Sequence, residues 1–221
     1  MNQYALRIIK MFVGFIFYGL GIVVTLRANI GYAPWEVFHV GVANTVGMSI
    51  GMVSILVGVV IFIITVSLGE TLGSGAILNM IFIGVFTDLF NMLSFIPEAQ
   101  NLTMGLVMMV VGLTIISFAT YLYISSAFGT GPRDSLMVAL SRITGFSAGA
   151  CRGFIEVSVT VIGYFLGGSV GVGTVLSALV VGFILQGVFK IFQFEPKNVQ
   201  HEDMKETFNR LKGYKESFKR Q

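Results

Sequence analysis

Long apolar runs, separated by short polar or glycine-rich breaks, make up most of this 221-residue chain. A helix needs roughly 20 apolar residues to cross a bilayer core of about 30 Å. Six runs are long enough or nearly so, and each predicts a membrane-spanning helix: residues 5–27, 51–68, 77–95, 103–126, 149–166 and 174–193. Alternating ten-residue segments of the kind that build membrane barrels do not occur. The pattern therefore predicts an all-α membrane protein.

Two shorter segments, residues 36–47 and 134–145, interrupt the apolar runs. As a helix, each would rise only about 18 Å, which is too short to cross. Gly-x-x-Pro precedes each segment and a glycine ends it. Each begins with an acid, Glu36 or Asp134, and a carboxylate complements the positive end of a helix dipole. We predict two half-helices that are re-entrant or lie at the membrane interface.

The two short segments belong to an internal repeat with an offset of 98 residues and no gap. Of the nine glycines in residues 27–90, seven fall on a glycine in the second copy, whereas chance predicts about two matches. Matched prolines and Ser-x-Gly sequences support the same register. The matched positions include Gly31 with Gly129, Pro34 with Pro132, Glu36 with Asp134, Ser49 with Ser147, and Gly51 with Gly149.

Each copy has three predicted crossings, so the second copy must enter the membrane from the opposite side. We predict an inverted-topology repeat with a pseudo-two-fold axis in the membrane plane. Unit 1 is residues 1–98, unit 2 is residues 99–193, and residues 194–221 form a tail. If the half-helices also crossed, there would be eight spans and parallel repeats. Six spans agree better with the positive-inside rule, with both termini cytoplasmic.

Composition supports a membrane location. Only 11% of the residues are charged and the mean hydropathy is +0.85, whereas soluble domains carry about 25% charged residues. The single cysteine, Cys151, cannot form an internal disulfide. No metal-ligand spacing occurs, so neither a metal nor a cofactor is expected. An intramembrane enzyme is not expected either, because the chain has no paired-ligand or Ser/His/Asp motif.

The residues around the two breaks are the candidate site. A broken helix in lipid is tolerated only where its backbone is buried in protein or lines a wet cavity. Alternative interpretations are that Trp35 belongs to an interfacial aromatic belt, that Arg133 only sets topology, and that His39 faces the surface. The predicted substrate-binding residues are Pro34, Trp35, Glu36, His39, Pro132, Arg133 and Asp134.

Three ionisable residues inside the predicted spans are candidates for ion or proton coupling: Asp88, Arg152 and Glu156. Charged groups at such depth are expensive and are a functional hypothesis by default. Arg152 and Glu156 are also spaced for an i,i+4 ion pair, which could be purely structural. Asp88 could instead lie near a helix end among lipid headgroups.

The chain changes character at Phe194-Glu195, and Pro196 is expected to break the last helix. Apolar residues from Met204 to Phe218 recur at helical spacing among lysines and arginines. This pattern predicts a basic amphipathic helix that would bind anionic lipid or a cytosolic protein. The alternative is a solvated tail without a partner, and nucleic acid binding is not expected from so short a segment.

Several of these motifs resemble the bacterial YczE/YitT family of membrane proteins over about residues 10–192. The resemblance implies a multi-pass protein of the bacterial cytoplasmic (inner) membrane, and it implies no substrate or catalytic residue. The motifs that carry it are Gly31-x-x-Pro34-Trp35-Glu36, Thr45-x-Gly47-x-Ser49-x-Gly51, Leu68-Gly69 with Gly73-x-Gly75, Gly129-x-Gly131-Pro132-Arg133-Asp134 and Gly167-Gly168-x-x-Gly171-x-Gly173-Thr174.

Two functions fit these observations. The first is a small-solute transporter or channel whose site lies between the two half-helix breaks. The second is a non-transporting membrane scaffold or assembly factor that acts through cytosolic partners. The sequence identifies no solute for the first function.

Overall fold

The computed structural model describes residues 3–70, 73–196, 199 and 202, and its secondary structure there is entirely helical. The amphipathic helix predicted from Met204 onward lies outside the described residues. The eight helices are α1 (Gln3–Arg27), α2 (Pro34–Val46), α3 (Ile50–Ser67), α4 (Ser74–Leu93), α5 (Leu102–Ile124), α6 (Pro132–Thr144), α7 (Ala148–Phe165) and α8 (Val172–Ile191).

Six of the helices coincide with the six predicted spans to within a few residues at each end. Helices α1, α3, α4, α5 and α8 are each long and apolar enough to cross a membrane. Helices α6 and α7 meet at a bend of 118° and add a sixth span if they are counted together. The protein is therefore a multi-pass membrane protein with five or six candidate spans.

The two half-helices, α2 and α6, are bounded by a proline at the start and a glycine at the end, as the sequence pattern indicates. Pro34 and Pro132 are their first residues, because a proline lacks only an N–H that is spare at a helix start. The helices therefore begin two residues earlier than predicted, and Glu36 and Asp134 lie in their first turns. Gly47 and Gly145 end the helices with left-handed φ values of 70° and 75°, which glycine adopts without strain.

The repeat is visible in the backbone as well as in the sequence. Ser49 caps α3 by accepting from the Met52 N–H, and Ser147 caps α7 by accepting from the Ala150 N–H. Positive φ angles also recur at the offset of 98 residues, at Asn29 and Ala127 (50° and 63°), Gly31 and Gly129 (96° and 119°), Gly47 and Gly145 (70° and 75°), and Gly69 and Gly167 (87° and 94°).

The two units pack against each other reciprocally. Helix α1 packs along α5, and α1 packs on α4 as α5 packs on α8. Helix α2 of unit 1 packs on α7, and α6 of unit 2 packs on α3. The Gly75 N–H donates to the Phe128 carbonyl at 2.8 Å, and the Gly173 N–H donates to the Ile30 carbonyl at 2.7 Å. Gly75 and Gly173 are equivalent positions of the repeat, and so are Ile30 and Phe128. Each bond therefore becomes the other when the two units are exchanged, as in an isologous pair.

One packing contact lacks its counterpart in the other unit. Helices α3 and α4 are in backbone contact, because a Cβ on Gly84 would lie 2.6 Å from the Gly51 carbonyl oxygen. The equivalent positions in α7 and α8 are Gly149 and Gly182, and a Cβ at either would meet no described atom within 4 Å. Unit 1 is closed at this contact and unit 2 is open.

The apolar core lies between α1, α4 and α5. It contains Phe15, Ile22, Ile83, Tyr123 and Phe128, all nearly inaccessible. Large apolar side chains also cover the outside of the bundle. Phe154, Phe165 and Phe183 are 73–81% exposed, as expected for side chains that face lipid rather than water.

Candidate functional site

The first turns of the two half-helices are in direct contact. The guanidinium carbon of Arg133 in α6 lies 4.4 Å from the ring centroid of Trp35 in α2. A guanidinium over an indole ring is a favourable cation–π contact. Trp35 and Arg133 are equivalent positions of the repeat, so the two breaks meet at one place in the fold.

His39, one turn further along α2, forms a hydrogen bond with the same guanidinium. Its Nε2 atom lies 3.2 Å from Nη2 of Arg133, and the imidazole is only 2% exposed. Since an arginine has donors and no acceptor, Nε2 accepts and the proton of the neutral ring is on Nδ1. Arg133 is thus held by two uncharged groups of the other unit.

A cavity of about 120 Å³ lies beside this contact. Residues from α1 through α7 line it, so the cavity is central and belongs to both units. Polar or aromatic side chains form much of the wall, and these include Tyr18, Trp35, Ser54, Asn79 and Tyr123.

Two guanidinium and two carboxylate groups line the cavity. Nε of Arg152 lies 2.8 Å from Oε1 of Glu156, which is the i,i+4 ion pair that their spacing predicts. Asp134 accepts a long hydrogen bond of 3.4 Å from the Tyr123 hydroxyl. Arg133 forms no ion pair with any carboxylate of the described residues. The charges of this site are therefore only partly neutralised by one another.

The structure divides the predicted site residues into three groups. Six of them line the cavity: Trp35, Pro132, Arg133, Asp134, Arg152 and Glu156. Pro34, Glu36 and His39 are buried in α2 without lining the cavity, and His39 acts through its contact with Arg133. Asp88 lies elsewhere.

Asp88 belongs to the contact between α3 and α4. Its carboxylate accepts hydrogen bonds from the Ser49 hydroxyl and from the Gly51 N–H, the latter at 2.8 Å. A carboxylate is favourable at this place because the N-terminus of α3 carries the positive end of the helix dipole. The structure therefore gives Asp88 the role of a helix cap and does not bring it into the cavity.

Ten lining residues were not among the predicted site residues, and three of these carry a hydroxyl group: Tyr18, Ser54 and Tyr123. A signal for Tyr18 was present, because a phenol in the middle of a span is far from the interface where tyrosines concentrate. Ser54 and Tyr123 gave no such signal, since single hydroxyls are common in membrane helices. Within the described ranges, no group of three or more His, Cys, Asp or Glu side chains could hold a metal ion.

Comparison with known proteins identifies relatives along most of the chain. The family described as "Family of unknown function (DUF6198)" matches residues 5–190. "Uncharacterized membrane protein YczE" of Bacillus subtilis (strain 168) is 32% identical over 187 residues, which cover 84% of this chain and 86% of that protein. An "Uncharacterized protein" of Haemophilus influenzae is 33% identical over 168 residues, 76% of each chain. No solved structure matches. The resemblance predicted from the motifs is confirmed.

Proposed function

The chain belongs to the DUF6198 family, and we propose that it is a multi-pass transporter of a small polar solute in the bacterial cytoplasmic membrane. The solute site would be the cavity between the two half-helix breaks. The observation that carries this proposal is the contact between Trp35 and Arg133, which brings both breaks to one cavity lined by four charged side chains.

Charged side chains inside a membrane protein are expensive unless they serve a polar pathway. The bundle places two arginines and two carboxylates around a central cavity, where a well-packed apolar core would be more stable. A scaffold that acts through its cytosolic surface has no need of such an interior. The polar cavity therefore favours the transport function over the scaffold.

Inverted topology is supported by the reciprocal contacts of the two units. The two interchanged hydrogen bonds, from Gly75 to Phe128 and from Gly173 to Ile30, indicate a two-fold relation. If each unit crosses three times, this relation requires an axis in the membrane plane. The bond from Gly75 would then lie at the cytoplasmic end of the bundle and the bond from Gly173 at the external end.

Charged residues suggest which end is cytoplasmic. Arg142 of α6 pairs with Glu70, which follows α3, and Arg7 near the N-terminus pairs with Glu202 of the tail. These arginines would lie at one end of the bundle, as the positive-inside rule expects of a cytoplasmic face. Both termini would then be cytoplasmic.

The unequal packing of the two units favours a transporter over a static channel. Alternating access requires two states of similar energy in which the gates on the two sides exchange. Here α3 is closed on α4, with Asp88 bonded to the start of α3, while the equivalent α7 and α8 are apart. In the opposite state α7 would close on α8 and α3 would leave α4. The Arg152–Glu156 ion pair in the cavity wall is the pair that we propose for ion or proton coupling.

Filling the cavity tests the proposal. Ser54→Phe places a ring in the cavity, whereas Ser67→Phe makes the same change at an exposed position of the same helix. We expect proteoliposomes with the wild-type protein to swell in at least one small polar solute faster than protein-free liposomes. Ser54→Phe should slow this entry by about tenfold or more, because the phenyl ring would occupy the cavity and the packed wall has no room to accommodate it elsewhere.

Stopped-flow light scattering measures the swelling, with neutral, cationic, anionic and zwitterionic solutes tested separately. Ser67→Phe should remain close to the wild type. Transport through this cavity would be excluded if no solute entered faster than in protein-free liposomes, or if both variants behaved alike.

A further inference from the structure

Arg133 differs from every other arginine in the described parts of the chain. Arg7, Arg27, Arg142 and Arg152 each form an ion pair with a carboxylate, with distances of 2.7–3.0 Å. Arg133 lines the cavity and has only the neutral His39 ring and the face of Trp35 as partners. A guanidinium inside a membrane protein gains much from an anionic partner because the surroundings screen its charge weakly.

The contacts of Arg133 orient its guanidinium without neutralising it. Trp35 covers one face and His39 accepts from one of the five N–H groups. A guanidinium presents its remaining donors in a planar fork that matches a carboxylate. The cavity therefore offers a fixed site for a small planar acid group.

Asp134, the next residue, offers the opposite charge to the same cavity. Its only hydrogen bond in the described structure is the long one from the Tyr123 hydroxyl, and it forms no ion pair with a described basic residue. A carboxylate with this environment is a suitable acceptor for an ammonium group. Arg152 and Glu156 form an ion pair across 2.8 Å, so among the four charged side chains that line the cavity Arg133 and Asp134 are the two without an ion-pair partner in the described residues.

We propose that the cavity binds a small zwitterion, an amino-acid-like solute whose acid group binds Arg133 and whose ammonium group binds Asp134. This inference rests on the proposed function and names its solute class. A purely anionic solute would be repelled by Asp134, and a purely cationic one by Arg133. A cavity of about 120 Å³ has room for on the order of ten water-sized atoms, which limits the solute to a short chain.

The only tryptophan of the chain, Trp35, lies in the cavity wall and reports on its occupancy. We would titrate the detergent-solubilised full chain with glycine, β-alanine and 4-aminobutyrate, and separately with propionate and propylamine. At least one zwitterion should change Trp35 fluorescence and raise the melting temperature. Propionate and propylamine should do neither at the same concentrations.

Variants identify the groups that bind. Arg133→Gln and Asp134→Asn should each weaken zwitterion binding by about tenfold or more, since each removes a charge-assisted hydrogen bond. Arg133→Lys keeps the charge and should retain part of the binding. Arg142→Gln removes an arginine outside the cavity and should bind like the wild type.

Three results would overturn the zwitterion proposal: no zwitterion of the panel binds, propionate or propylamine binds equally well, or Arg133→Gln and Asp134→Asn bind normally. The swelling assay separates this failure from that of the transport proposal. Entry of another solute class, blocked by Ser54→Phe, would retain transport and reject the zwitterion. Binding of a zwitterion without entry of any solute would do the reverse.

Discussion

Gly163→Val is expected to separate α2 from α7 and to lower the free energy of unfolding by about 3 kcal/mol. A Cβ at Gly163 would lie 2.5 Å from the backbone N and Cα of Phe38 and 2.6 Å from the carbonyl carbon of Val37. Backbone atoms cannot move aside as a flexible side chain can, so the whole of α2 must shift. Because α2 carries Trp35 and His39, the same change should also disorder the contacts of Arg133.

The matched control for this prediction lies on the same helix. A Cβ at Gly153 meets no described atom within 4 Å, so Gly153→Val should change the free energy of unfolding by no more than about 0.5 kcal/mol. Titration of the detergent-solubilised protein with denaturant measures both variants. Equal stability of the two variants would show that α2 and α7 do not approach as closely as described here.

A disulfide between α7 and α8 is expected to stop the solute flux that we propose for this protein. Gly153 and Gly182 are equivalent to Ile55 and Gly84, and a Cβ on Gly84 would lie 2.6 Å from Ile55 Cγ1. A Cβ at Gly153 or Gly182 meets nothing within 4 Å in this state. If the two units exchange their packing, Gly153→Cys with Gly182→Cys should form a disulfide in the opposite state. This disulfide should lock the protein in that state, with α7 packed on α8. Flux should then fall to that of protein-free liposomes and return on reduction.

The controls are the single variants Gly153→Cys and Gly182→Cys, which cannot form the disulfide within one molecule and should keep their flux. All of these variants are made with Cys151→Ala, which removes the native thiol. Intact mass after alkylation counts the thiols that have been oxidised. Exchange of packing is contradicted if the α7–α8 pair never oxidises within one molecule. A disulfide that forms only between two molecules would assign this open face to contacts between copies.

The spans and half-helices could be predicted from the sequence because local chemistry decides them. Apolar run length marks each crossing, and the Gly-x-x-Pro sequences before Glu36 and Asp134 mark both breaks. The unbroken repeat then indicated that the two breaks are equivalent, which is why Trp35 and Arg133 were both among the candidates. In the structure these two equivalent residues are in direct contact.

The remaining features depend on packing that a single sequence does not contain. Asp88 was a candidate for ion or proton coupling, and its contacts at the start of α3 were not predicted, because the Ser49 and Gly51 donors approach it only once α3 lies against α4. The open face of α7 and α8 was not predictable from the repeat, since equivalent glycines imply equal packing. Tyr123 enters the site because the end of α5 brings its hydroxyl to Asp134 of α6.

Cysteine accessibility tests the central claim, that two inverted units bring their breaks together in one cavity. Ser67 is the last residue of α3, and Ser169 follows α7, which is the equivalent crossing of the second unit. Both serines are exposed. Ser67→Cys and Ser169→Cys, each made with Cys151→Ala, would be treated in intact cells with a membrane-impermeant maleimide. We expect only Ser169→Cys to be labelled in intact cells and Ser67→Cys to react once the membrane is permeabilised. Labelling of both from the same face would show that the two units are parallel rather than inverted.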